Sequence, residues 1–155
     1  MDRTRQSLSV LALAGSCAAF AADERRSQFT VSAHVEAVAV VEQLGALPEI
    51  DIGPADLQRG FIDVPEQVRL RIFSNSSYGY ALDVHSLSPL IRSINLEGLG
   101  PGVSLSADGG SVVQRWQHAQ TVSLALKFRL LLGSTATPGR YAWPLQLRVH
   151  PLEAN

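Results

Sequence analysis

The 155-residue sequence has one cysteine, one lysine and no apolar run long enough to cross a bilayer. Each scarcity excludes something. The cysteine, Cys17, falls in a charged-then-apolar N-terminus: Asp2, Arg3 and Arg5 precede an apolar, small-residue run over 8–22 that contains the A-x-A site Ala19-Phe20-Ala21. That pattern predicts a secretory signal peptide over residues 1–21. The run is shorter than the roughly 20 residues a membrane helix needs. Lipidation at Cys17 is the competing use of that residue, but Ala14-Gly15-Ser16 lacks the leucine expected three places before it. On either reading the exported part has no disulfide, so a packed core or a partner must supply the stability that small exported domains often draw from one.

Clustered positive charge is missing too. Cleavage after Ala21 removes two cations and one anion and takes the formal net charge from −1 to −2. The remaining arginines are scattered and Lys127 stands alone, which argues against nucleic acid as a partner, since that needs a basic stripe. No segment carries a helical period, and there is no internal repeat.

The sequence does have alternation with a period of two. Phe29, Val31, Ala33, Val35 and Ala37 share one face of an extended segment, opposite Thr30, Ser32, His34 and Glu36. Past Ala37 both faces turn apolar through Val41. Short strands are predicted over 49–52, 67–72, 78–85, 91–96, 103–106 and 112–116, with turns at 74–77, 98–102 and 108–110. Two longer patterns follow. Val122, Leu124, Leu126, Phe128, Leu130 and Leu132 line one face. After Thr137-Pro138-Gly139, so do Tyr141, Trp143, Leu145, Leu147 and Val149. Pro144 inside the last pattern marks an edge strand or a bulge, because proline donates no hydrogen bond to a ladder. Many short strands between Gly/Pro turns predict an all-β, antiparallel sandwich.

Catalytic sets are thin. His34, His85, His118 and His150 have no partner at metal-ligand spacing, and no serine sits in a nucleophile elbow. Glu49 and Asp51 could divide acid and base roles, but Pro48 and Gly53-Pro54 flank them and a solvated edge fits better. Gly98-Leu99-Gly100-Pro101-Gly102 has no strand-to-helix context to cradle a phosphate. Trp116, Trp143, Tyr78 and Tyr80 could stack on sugars, or be core. The expectation is a protein that is not an enzyme, with no catalytic, cofactor or metal site.

Two stretches carry a resemblance. QFTVSAHVEAVAVVEQLGALP, over 28–48, resembles the start of major pilins of the colonisation-factor and cable-pilus class, with an alternating Thr/Val/Ala segment, an acidic residue, an apolar stretch and a short loop. ATPGRYAWPLQLRVHPL, over 136–152, resembles their Gly-x-Tyr turn and final strand. The middle matches only in strand character, and Ala37 stands where such pilins often have proline. The resemblance implies an immunoglobulin-like antiparallel β-sandwich, incomplete by one strand, with an N-terminal donor-strand extension. The layout is a signal peptide (1–21), an extension or first strand (22–41) and one sandwich domain (42–155). It implies a structural subunit of a bacterial surface fimbria, built by the alternate chaperone–usher pathway. Its partners would be other pilin subunits, a periplasmic chaperone and an outer-membrane usher, with passage through the periplasm to the cell surface. Phe29, Val31, Ala33, Val35 and Ala37 would insert beside an acceptor edge of Tyr141, Trp143, Leu145, Leu147 and Val149. The alternative is a self-complete exported sandwich that binds a ligand such as carbohydrate, with residues 29–41 as its own first strand.

Overall fold

In the computed structural model the described residues are 31–116 and 118–154. The expected signal peptide, Cys17 and Phe29 lie outside them. The chain divides into two units, Met1–His34 and Val35–Asn155. In the first, residues 31–34 have no regular structure and are exposed.

The second unit is built from antiparallel sheets. The larger sheet runs in the order β1 (Ala39–Leu44), β4 (Val68–Ser74), β9 (Gln120–Leu132), β6 (Ile91–Glu97), β7 (Val103–Leu105), and β3 (Phe61–Asp63) also pairs with β9. The second sheet is β11 (Leu145–Pro151), β5 (Tyr80–Ser86) and β8 (Gly109–Gln114), with β5 central. A two-stranded piece joins β2 (Ile50–Ile52) to β10 (Gly139–Tyr141). β9 is the spine of the larger sheet: its first half pairs with β4 and its second with β3 and β6.

Alternation sets which side chains meet. In β4, Val68, Leu70 and Ile72 are buried while Arg69, Arg71 and Phe73 face out. Their partners in the core include Leu126, Phe128 and Leu130 of β9, Ile94 of β6, and Tyr80, Leu82 and Val84 of β5. One core therefore joins both sheets, and the fold is an all-β sandwich. A slip of any one strand by one residue would turn that strand's share of these side chains to water. Surface pairs agree with the register: Arg71 meets Glu42 at 3.0 Å across β1 and β4, and Arg129 meets Asp63 at 2.6 Å across β9 and β3. Exposed pairs of this kind contribute about 0–1 kcal/mol each, so they support register more than stability.

The chain crosses between sheets through the turn that joins β4 to β5. Ser74, fully buried, accepts a hydrogen bond from the Ser76 amide at 3.2 Å, and Ser76 Oγ accepts one from the Tyr78 amide at 3.1 Å. Trp116 Nε1 donates to the Ser76 carbonyl at 3.0 Å. Gly79 has φ +109°, and a Cβ there would lie 2.0 Å from the Gln114 carbonyl oxygen, so this corner requires glycine.

Four local readings change. A short helix, α1 (Pro54–Arg59), forms although no segment carries a helical period. Pro54 opens it, Asp56 accepts from the Gly53 amide at 2.8 Å, and Gly60 ends it in the left-handed region. The Gly53 amide, then Arg59, holds the Asp56 carboxyl below its ordinary range. Tyr78 lies outside β5 and is exposed, and Gly109 and Gly110 belong to β8 rather than to the turn before it. The expected single strand through Tyr141 and Val149 is two strands in different sheets: Tyr141 pairs in β10 with Ile50, while Leu145, Leu147 and Val149 lie in β11. Pro144, with no N–H to give, stands at the break.

The packing gives a first test. Leu82→Ala should lower unfolding free energy by about 2–5 kcal/mol, and Gly79→Ala by more than about 1 kcal/mol. Denaturant melts read both, and unchanged midpoints would contradict this account of the core and the corner.

Candidate functional site: a seam between two edge strands

Among the described residues β1 has a partner on one side only, β4, and β11 has only β5. These two edges lie side by side, with Cα atoms approaching within 8 Å, yet among the described residues no ladder joins them. The backbone groups along their facing edges therefore lack strand partners, as at any sheet edge. Side chains follow the same pattern. Ala39 and Val41 of β1, and Leu147 and Val149 of β11, point inward but are only half-buried. Deeper residues of the same faces, such as Leu70 at 1% exposure, are closed off.

At one end the seam opens into a groove of about 410 Å³ between Val41 and Gln43 of β1 and Leu145, Gln146 and Leu147 of β11, with Leu70 also lining it. Leu47, Leu87 and Trp143 complete the lining, and Leu47 and Leu87 are 38% and 64% exposed. An adjoining, mainly apolar cavity of about 230 Å³ shares Leu87 and Trp143 and reaches Ile50, Ile52, Leu130 and Tyr141. Trp143 thus lines both spaces. Its ring meets Phe128 edge-on at 5.3 Å, and its Nε1 is buried without a hydrogen-bond partner among the described residues.

The five residues expected at the acceptor edge divide accordingly. Leu145, Leu147 and Val149 line the β11 edge, Trp143 lines the groove from the link before β11, and Tyr141 lines only the adjoining cavity. Of the five expected at the donor face, Phe29 is outside the described residues. Val31 and Val35 are 89% and 77% exposed, Ala33 is exposed and Ala37 half-buried. Residues 31–38 are not in a strand, whereas Ala39 and Val41 already belong to β1. Sequence reasoning missed Val41, Gln43, Leu47 and Leu87 as groove residues. The loosened alternation after Ala37 was the available signal for Val41, and the exposed Leu47 and Leu87 carried none.

Elsewhere the surface offers less. The aromatic set does not converge: Tyr80 is 1% exposed and packs on Trp116 at 4.9 Å, which leaves Tyr78 as the exposed member. Tyr78 borders an open concavity of about 750 Å³ with Arg115, His150 and Glu153. Another, lined by Asp63, Glu97, Lys127 and Arg129, mixes both charges. His150 bonds Asp83 at 3.0 Å, and among the described residues no three His, Cys, Asp or Glu side chains gather as a metal site.

The unpaired indole yields a prediction. A buried donor without a partner costs about 1–3 kcal/mol, which offsets the area lost with a smaller ring. Trp143→Phe should leave the melting free energy within about 1 kcal/mol of the parent, and a loss above about 2 kcal/mol would mean that the indole N–H is bonded. Compared with known protein families, characterised proteins and solved structures, the chain has no match.

Proposed function

We propose that this protein is an exported, pilin-like structural subunit of a bacterial surface fibre that polymerises by donor-strand complementation. In this reading the extension of one copy, with Phe29, Val31, Ala33, Val35 and Ala37 inward, fills the seam between β1 and β11 of the next. The observation that carries it is the pair of unpartnered strand edges lying together over a partly open core.

Strand order supports the same reading. An immunoglobulin sandwich sets A, B, E and D in one sheet and C, F and G in the other. Here β1, β4, β9 and β6 follow the first order, and β5 and β11 sit as C and F. Beside β11, where G would stand, there is no strand among the described residues, and the place opens toward β1. β8 departs from the scheme, because it flanks β5 on the far side and follows β6 in sequence.

Physical chemistry sets the terms. Nine residues at about 3.3 Å each span roughly 30 Å, a full strand. Phe29, Val31 and Val35 would each contribute about 1.5–3 kcal/mol on burial, and main-chain bonds to β11 would fix register in the manner of strand addition. A strand paired to both lips needs about 9.6 Å between them, twice the inter-strand spacing. The lips approach within 8 Å. Insertion therefore begins at the open end by Trp143 and parts the lips as it advances. A subunit with this seam unfilled would need a periplasmic chaperone and then an usher.

The test uses size-exclusion chromatography and thermal melting of the mature chain. Multimers should grow with concentration and resist SDS. Deleting 22–37 should abolish them. Leu147→Arg, which places a charge in the groove, should do the same while the domain stays folded. A mature chain that remains a monomer at every concentration, with a melting point insensitive to the deletion, contradicts the proposal and favours the self-complete ligand-binding sandwich.

A further inference from the structure

A chain that carries both a groove and a strand able to fill it has an obvious competitor for assembly: its own extension. Laying residues 29–37 along the free edge of β1 would require a hairpin at residues 36–38. The structure holds that point differently. The Asn75 amide donates to the Val38 carbonyl at 3.1 Å, continuing the β1–β4 register by one pair beyond Ala39 and Ser74. The Asn75 side chain then continues it further: Oδ1 accepts from the Val38 amide at 2.6 Å, and Nδ2 donates to the Glu36 carbonyl at 2.9 Å.

Three backbone groups at the site of the required hairpin are thus tied to one residue, in line with β1. Asn75 is itself firmly placed, between buried Ser74 and Ser76 in the bonded turn described above. The local sequence Glu36-Ala37-Val38-Ala39 opposes reversal as well. Tight hairpins call for Gly, Asn or Asp at positive φ, and this stretch has none, with β-branched Val38 at its centre.

We propose that Asn75 is a positioning residue that keeps the extension out of its own groove and so commits it to a second copy of this chain. The inference rests on the donor-strand reading of the seam. Asn75 acts through the backbone of residues 36–38 and touches no part of the groove.

Cysteine cross-linking of the full mature chain, which otherwise has no cysteine, separates the possibilities. Val31→Cys, Ala33→Cys and Val35→Cys are each paired with Leu147→Cys, so that a shift of register does not silence the assay. Inward neighbours on paired strands bring Cβ atoms to about 4.5–5.5 Å, close enough for oxidation to join them. With Asn75 present, mixtures of singly substituted chains should yield disulfide-linked dimers, and dilute doubly substituted chains should yield almost no internal disulfide. Asn75→Ala should raise the internal product several-fold at the expense of dimers. Asn75→Asp, which keeps an acceptor for Val38 but loses the donor to Glu36, should fall between and serves if the alanine variant folds poorly. Ser77→Ala, a neighbouring exposed change, should leave the ratio alone, which separates positioning from general loosening of the turn. Internal cross-linking with Asn75 intact, or a ratio indifferent to Asn75, overturns this inference while leaving the groove reading in place. No cross-link in any pairing overturns the groove reading itself.

Discussion

A strand in a sheet has two edges of backbone donors and acceptors, and each edge must find a partner or face water. Among the described residues β1 and β11 each satisfy one edge and leave the other unpaired, and the two unpaired edges belong to opposite sheets on the same flank of the sandwich. The rest of the architecture is arranged around that flank. The spine strand β9 and the central β5 hold the core closed behind it, with Ile72, Leu82 and Leu126 fully buried. In front, the same inward faces end in the half-buried Ala39, Val41, Leu147 and Val149. The domain is well packed up to one seam.

That seam differs from an ordinary sheet edge in what lies beneath it. Many sheet edges are blunted by charge, a bulge or a covering loop. β11 places Gln146, Arg148 and His150 on its outer face, but its inward face opens toward an apolar groove that runs to Trp143. Pro144 stops the preceding link from joining the strand, so the chain turns away to β10 and leaves the groove end open. The indole N–H at that end has no bond among the described residues, and in the proposed reading this is where an occupant with the alternation of Phe29 to Ala37 would enter.

Much of this was legible in the sequence because the period-two signal is strong wherever one face is buried. Val68 to Ile72 and the long run through Leu132 fall in strands as the alternation predicts, and Ile91 to Leu96 is a strand whose register shifts between Ile91 and Ser93. The signal failed where elements are short. α1 spans less than two turns, too few to display a helical period, although Pro54, Asp56 and Gly60 marked its ends. It failed again at Tyr141 and Trp143, which keep the phase of β11 while belonging to other elements, since phase alone does not say which sheet a residue joins. The groove's second lip was hidden for a related reason. Val41 and Gln43 line it only because β1 pairs with β4 rather than with β11, and pairing partners are not written in alternation.

The central claim is that the β11 edge is a binding edge, and hydrogen–deuterium exchange of the mature chain tests it most directly. Samples held dilute and samples allowed to assemble would be compared peptide by peptide. The account predicts protection gained on assembly over Leu145–Pro151 and over residues 29–37, with β8 at the other edge of the same sheet unchanged. Exchange over Leu145–Pro151 that is the same in both samples would contradict it.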